Sequence, residues 1–385
     1  MHYGFATNPK LGWKPALDGL RGFAVLAVML RHFQYERFND HAVVLLPSGG
    51  IGVDVFFVLS GFLITTLLLQ EWATDGSISL KNFYIRRGLR LFPAVAAFLA
   101  GFVLISSFIP TPTSSTGEVS NSVLITNLIG ILTYSFNWMM ASGVDRVWGL
   151  GHLWSLSVEE QFYLAWPAMV SILLRLKVPP LTVLGLSAGV FAVSAAMPLI
   201  WNEMDFYRFY FATDYRIHSL MVGCILAQLY VLGLLKASVL QNAAFKVGLV
   251  ASLVFLVAVM TGLRNKDPFL FVGGYTFVAV AGGFVLTAAL FSTRSLGHQL
   301  LTNRVIVYVG KRSYALYLWH YAIGFWLRDL EMVPQIALSF ALSFLAAELS
   351  YRLVEAPALR LKNRFGVFSK PATAEADPFN RGAVA

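Results

Sequence analysis

The chain has 385 residues, of which 57% are hydrophobic and only 13% are charged, and its mean hydropathy is +0.67. Soluble domains average about 25% charged residues, so this composition excludes a soluble domain and indicates a polytopic membrane protein. The chain has a net charge of +9. The basic residues cluster in short loops beside apolar segments, which is typical of membrane topology signals and not of nucleic-acid binding. Cys224 is the only cysteine, so we expect no disulfide within the chain and no metal site.

Eleven segments could be membrane helices, because a spanning helix needs about 20 mostly apolar residues. The basic loops 71–90 and 175–180 should both be cytoplasmic, which requires that one segment between them does not cross. The most polar candidate is 121–140, so we predict that it is re-entrant. The sequence therefore predicts an all-α bundle of about ten spanning helices with both termini cytoplasmic. The membrane domain should cover 1–365, followed by a disordered tail at 366–385. The predicted spans are 17–35, 50–70, 89–109, 153–174, 181–200, 212–234, 245–264, 270–292, 306–327 and 335–356.

The first predicted span contains two ionisable residues, Arg21 and His32. Eleven residues at about 100° each end some 20° past three full turns and rise roughly 16.5 Å, so both side chains lie on one helix face. Ionisable residues inside a membrane are costly and mark functional sites. The pair is therefore a candidate substrate path, with snorkelling towards opposite interfaces as the alternative.

Carboxylates should meet His32 on the extracytoplasmic side of the membrane. Asp54 opens the second predicted span in GGIGVDVFFVLSGF, and Glu159 and Glu160 lie in GHLWSLSVEEQFYLAWP. A carboxylate bonded to one imidazole nitrogen raises the basicity of the other, as a general base requires. Any of the three acids could be this partner of His32. We expect Glu160 to point inward, whereas Glu159, about 100° away, could simply complement the helix dipole.

Three arginines, Arg86, Arg87 and Arg90, follow one another in FYIRRGLRLFP. Arg86 and Arg90 are four residues apart and Arg87 and Arg90 are three apart, so they share a helix face. Clustered guanidinium groups bind phosphate well, which makes the three residues candidates for binding a phosphorylated donor. The alternative is a topology anchor or a contact with anionic lipid.

Five residues of the predicted spans are candidate substrate-binding groups or helix-helix contacts. They are Ser60, Trp154, Ser155, Glu159 and His320.

Five segments in order resemble the membrane acyltransferase-3 family, the group of the O-antigen acetylases. They are LDGLRGFAVLAVMLRHF, GGIGVDVFFVLSGFLIT, FYIRRGLRLFP, HLWSLSVEEQFYLAWP and SYALYLWHYAIG, spread over residues 17–326. The resemblance implies a ten-helix domain that moves an acyl group from cytoplasmic acyl-CoA to a hydroxyl outside. It also implies that Arg21 and His32 are essential and that Trp154–Gln161 contains a critical acid. Donor binding is implied for Arg86, Arg87 and Arg90.

The sequence thus favours an acyl-CoA-dependent O-acyltransferase, expected to use acetyl-CoA, in a bacterial inner membrane. His32, supported by Asp54 or Glu160, would deprotonate the acceptor hydroxyl; an acyl-histidine intermediate is the alternative chemistry. The expected acceptor is a cell-surface glycan or a lipid-linked sugar, with a secreted small molecule such as a macrolide as the alternative. Two functions from other classes are also possible interpretations. A secondary transporter of an anionic solute would use the same arginines and histidine as a binding path. A scaffold that binds lipid or a partner would not need His32.

Overall fold

The computed structural model describes residues 11–34, 45–109, 111–113, 117, 120–200, 205–264 and 267–362. The predicted tail at 366–385 lies outside these residues. The described part of the chain is all-helical, as predicted. Its helices are α1 Pro15–His32, α2 Gly52–Asp75, α3 Leu80–Ser106, α4 Asn121–Leu132, α5 Phe136–Ala141, α6 Trp154–Arg175, α7 Pro180–Ile200, α8 Phe206–Phe211, α9 Thr213–Val231, α10 Ala243–Gly262, α11 Tyr275–Phe291, α12 Leu296–Leu301, α13 Arg304–Lys311, α14 Ser313–Trp326, α15 Met332–Ser350 and α16 Ala356–Lys362.

Within the described residues, 6 helices are long and apolar enough to cross a membrane. They correspond to six of the ten predicted spans, and α15 joins α16 through a π-helical turn to form one of them. The other four predicted spans contain α1, α6, α9 and α14. The first three of these helices contain charged residues, and α14 is only 14 residues long. These four less apolar elements include the helices that supply the site described below.

Glycines allow the closest helix contacts in the bundle. A Cβ added at Gly61 on α2 would lie 2.0 Å from the carbonyl oxygen of Leu220, and one at Gly223 on α9 would lie 2.1 Å from that of Val58. Both distances are far below any real carbon–oxygen contact, so only glycine fits at these two positions. Small residues let membrane helices approach backbone to backbone. This contact fixes α9 against α2, which carries part of the site.

The two flanks of the segment 121–140 lie at the same end of the bundle. Thr113 and Val147 form an antiparallel β-bridge, and the Trp148 amide donates to the carbonyl of Pro112 at 3.1 Å. Between these points, α4 has 12 residues. At 1.5 Å per residue it is roughly 18 Å long, well short of the roughly 30 Å of a hydrocarbon core. These contacts support the prediction that this segment does not cross.

Cysteine labelling tests this topology. Ser107, after α3, and Ser142, after α5, are exposed and flank the segment. In a Cys224→Ser background, we expect Ser107→Cys and Ser142→Cys both to react with a membrane-impermeant maleimide on intact cells. Reaction of one from outside and of the other only after permeabilisation would show that the segment crosses.

Candidate active site

The C-terminal end of α1 brings His32 against His320 of α14. The Nδ1 atom of His32 lies 2.8 Å from Nε2 of His320, and the two rings stack with centroids 5.1 Å apart. A third imidazole, that of His152 just before α6, meets the His320 ring edge-on at 5.3 Å. His320 and His152 are buried, whereas His32 is partly exposed. Three histidines from distant parts of the chain therefore form one cluster, with His32 at its accessible edge.

Backbone contacts settle which nitrogen of His320 carries the proton. Its Nδ1 lies 2.8 Å from the carbonyl oxygen of Tyr317 and 3.1 Å from that of Leu316. Carbonyl oxygens only accept, so Nδ1 must be the donor, and Nε2 of the neutral ring must accept. The His32 Nδ1–H therefore donates to His320 Nε2. This leaves Nε2 of His32 with a free lone pair, which is the arrangement of an oriented general base.

The expected carboxylate partner of His32 is replaced by this imidazole. Asp54 on α2 is fully buried and accepts from Arg216 Nη2 at 2.8 Å through both of its oxygens. Ser219 also donates to it, at 2.9 Å. The prediction that Asp54 orients His32 therefore needs correction, because Asp54 is held by the buried guanidinium of Arg216. Removing one member of a buried ion pair typically costs about 3–5 kcal/mol of stability, which is a structural role.

The two neighbouring glutamates take different positions. Glu159 lines a cavity between α1, α2, α3, α6 and α14 and accepts a hydrogen bond from Ser60 at 2.7 Å. Glu160 is buried, as an inward residue should be, but it does not line that cavity, and its Oε1 has no partner among the described residues. Of the two expected partners of His32 on α6, only Glu159 faces the cavity. The dipole argument did not apply, because α6 begins at Trp154 and Glu159 lies beyond its first turn.

The cavity that Glu159 lines has a volume of about 500 Å³. One end is charged and the other is largely apolar, with Ser60 and Glu159 between them. His32 and His320 do not line it; the ring of Tyr317 lies between the cavity and the histidine cluster. The cavity is lined by Leu11, Gly12, Arg21, Gln70, Arg87, Arg90, Leu91, Ser313 and Tyr314 towards the charged end and by Val53, Phe56, Phe57, Ser155, Leu156 and Tyr317 towards the other, with Ser60, Leu63, Ile64, Leu67, Glu159 and Tyr163 completing the wall.

The predicted arginine cluster separates into two parts. Arg87 and Arg90 line the cavity, and the guanidinium of Arg87 lies 3.6 Å from the centre of the Tyr163 ring. Arg86 instead forms an ion pair with Glu71 at 3.5 Å and does not line the cavity. Arg86 lies about 100° around the helix from Arg87, at the margin of the face they share with Arg90, and Glu71 of α2 holds it there. The site therefore contains two of the three predicted arginines.

Arg21 joins Arg87 and Arg90 in the cavity wall. It reaches there from α1, and its guanidinium bonds Asp18 one turn earlier at 3.0 Å. Three guanidinium groups thus line one end of the cavity, more than the two carboxylates of Asp18 and Glu159 beside them neutralise, and give it a positive mouth.

Several polar atoms at this end of the cavity have no partner among the described residues. They are buried and include Nε of Arg87, Nε2 of Gln70 and the hydroxyl of Tyr163. Buried polar groups in proteins are nearly always hydrogen-bonded, so these atoms are open to pairing with water or with a polar ligand. Arginine and amide donors suit phosphate oxygens.

Of the other predicted site residues, Ser60 and Ser155 line the cavity, but Trp154 does not. Trp154 packs on Phe57 with ring centroids 6.1 Å apart and lies beside the Arg216 guanidinium, at 5.6 Å. The sequence interpretation missed Tyr317 and Arg216. Arg216 is an ionisable residue inside a predicted span, which is the signal that could have found it. Tyr317 lies three residues before His320 and so shares its helix face.

The chain is similar to known acyltransferases along most of its length. The chain matches the acyltransferase-3 family, described as an acyltransferase domain, over residues 14–351. It is 32% identical to the peptidoglycan O-acetyltransferase OatA of Listeria monocytogenes over 358 residues, which cover 89% of this chain and 55% of that protein. It is also 32% identical to the O-acetyltransferase OatA of Staphylococcus aureus over 357 residues, 89% of this chain and 57% of that protein.

The chain thus spans a little over half the length of these relatives. No solved structure matches the chain. The family match covers most of the sequence, including every residue of the cavity from α1 onward and of the histidine cluster. The chain therefore belongs to the acyltransferase-3 family.

Proposed function

We propose that the protein is an O-acetyltransferase of the bacterial inner membrane that uses acetyl-CoA from the cytoplasm. The observation that carries this proposal is the polarity of the cavity. Acyl-CoA has phosphates at one end, two amides in the pantetheine arm and an apolar acyl group at the other end. The cavity offers arginines, then Ser60 and Glu159, then apolar side chains in the same order. Its volume of about 500 Å³ is within the range of small-molecule sites.

The donor would enter with its phosphates at Arg21, Arg87 and Arg90 and its acyl group towards Tyr317. A pantetheine amide N–H would donate to the carboxylate of Glu159, which now accepts from Ser60. Arg21 and His32 are separated by roughly 16.5 Å along α1, so an extended arm could bridge much of that distance. The positive end faces the cytoplasm in the topology predicted from the loop charges.

The acceptor hydroxyl would approach His32 from the extracytoplasmic side, where the imidazole is partly exposed. Nε2 of His32 takes the hydroxyl proton while Nδ1–H remains bonded to His320. The alkoxide attacks the thioester carbon, and the tetrahedral intermediate collapses with loss of the CoA thiolate. Tyr317 lies between the cavity and His320, so the acceptor hydroxyl would reach the thioester past the edge of this ring.

A cell-surface glycan is the proposed acceptor class. The support comes from the two relatives, which are named for O-acetylation, in one case of peptidoglycan. A glycan or a lipid-linked sugar presents the hydroxyl that the His32 base requires.

Replacement of Arg90 by Ala should weaken acetyl-CoA binding. A charge-assisted hydrogen bond to phosphate contributes about 1.5–3 kcal/mol, so we expect the affinity to fall by about tenfold or more. Isothermal titration calorimetry on the detergent-purified protein measures this.

Arg86→Ala is the matched control, because Arg86 is on the same helix but pairs with Glu71 outside the cavity. The affinity of the Arg86→Ala protein for acetyl-CoA should remain close to that of the wild type. Equal weakening by both substitutions, or by neither, would indicate that the arginines act on topology and not on the donor.

A further inference from the structure

Tyr317 closes the end of the cavity that faces the histidines. Its hydroxyl donates to the carbonyl oxygen of His152 at 2.9 Å and accepts from Ser155 at 2.6 Å. Its ring contacts those of His152 and His320, with centroids 5.2 and 5.5 Å away, and that of Phe56 at 6.5 Å. The side chain is thus held by two hydrogen bonds and packed on its outer side against imidazoles.

The part of the cavity beneath this ring is lined mainly by apolar side chains. Val53, Phe56 and Phe57 of α2 face it from one side, and Leu156 of α6 from another. Phe57 and Leu156 are buried in the core of the bundle, so these walls cannot recede easily. An acyl group that entered ahead of its thioester would end against Tyr317.

We propose that Tyr317, fixed by Ser155 and the His152 carbonyl, is the end wall that limits the donor to short acyl chains. This inference rests on the proposed function, because it assigns the apolar end of the cavity to the acyl group of acyl-CoA. A longer chain would require the ring to rotate, which breaks both hydrogen bonds and displaces the packed imidazoles. The wall would therefore select by size: an acetyl group ends beneath the ring, whereas butyryl carries two further methylene groups that would have to displace it.

The test compares acetyl-CoA with butyryl-CoA. We expect Tyr317→Ala to raise the ratio of butyryl to acetyl kcat/KM by about tenfold or more, because each methylene group in a tight pocket changes discrimination by about 10–200-fold. The ratio is measured because damage to the fold would lower the rates with acetyl-CoA and butyryl-CoA together and leave their ratio unchanged. The same ratio should be measured for binding by calorimetry, which remains informative if Tyr317→Ala no longer turns over.

Tyr314→Ala provides the matched control. Tyr314 is also a tyrosine of α14 that lines the cavity, but it lies one turn nearer the charged end and donates to the Leu91 carbonyl at 3.1 Å. Its loss opens a similar volume elsewhere, so the butyryl to acetyl ratio should not change. If the butyryl to acetyl ratio rose equally in both variants, or did not rise in Tyr317→Ala, Tyr317 would not be the residue that limits chain length. The proposal that the cavity binds acyl-CoA would be unaffected by that result. A wild-type protein that binds neither thioester would refute the proposed function itself.

Discussion

His32→Ala should reduce acetyl transfer by about 10²–10⁴-fold, the usual contribution of a general base. The physical reason is geometric: His32 is the accessible imidazole of the cluster and its Nδ1–H bonds His320, so Nε2 is the atom that we propose as the base. Its replacement removes no residue of the cavity wall. Acetyl-CoA affinity should therefore stay near the wild-type value while kcat falls, as measured by acetyl transfer and calorimetry on the same preparation.

The control for this experiment is His298→Ala. His298 lies on α12, away from the cavity and the histidine cluster, so its loss should leave transfer unchanged. Thermal unfolding of the two variants shows whether either change damages the fold. Near-normal turnover by a folded His32→Ala protein would exclude His32 as the base.

His320→Leu should lower kcat by about 100-fold, because a misplaced catalytic group can cost that much in rate. His320 does not line the cavity, so KM for acetyl-CoA should change little. The conservative variant His320→Gln places an amide oxygen near the former Nε2 and can still accept from His32 Nδ1–H. We expect it to recover at least part of the activity.

The comparison of these two variants isolates the orienting hydrogen bond. A purely structural role for His320 predicts that both variants lose the same fraction of activity and of thermal stability. Loss of transfer in both, with unfolding temperatures equal to that of the wild type, would instead indicate that the imidazole itself is needed for more than accepting one hydrogen bond.

Features that depend on residues close together in sequence could be predicted, whereas contacts between residues far apart in sequence could not. The helical class and the segment 121–140 followed from local composition and from loop charges. Arg21, Arg87 and Arg90 were recognised from spacing within single helices, and the structure places all three in one cavity wall. Arg86 was expected to share their face, but it pairs with Glu71 and does not line the cavity.

Pairings between distant helices were not accessible in the same way. The partner of His32 is 288 residues away, and that of Asp54 is 162 residues away. The rule that a carboxylate supports a catalytic imidazole pointed to Asp54, since nothing local showed that Arg216 occupies it. The start of α6 was predicted within one residue, but which of Glu159 and Glu160 faces the cavity depends on how α6 packs against α2, where Ser60 bonds Glu159. Contacts of this kind depend on how the bundle packs, and periodicity within one span does not encode them.

The sidedness of acetyl transfer tests the proposed mechanism most directly. Inside-out membrane vesicles from cells that carry the protein and their native surface glycans are given radiolabelled acetyl-CoA on the outer, formerly cytoplasmic, face. We predict release of free CoA on that face and appearance of alkali-labile acetyl ester on the enclosed face, with neither in His32→Ala vesicles. Intact acetyl-CoA accumulating inside without ester formation would indicate transport, and ester formed equally by His32→Ala would contradict the assigned chemistry.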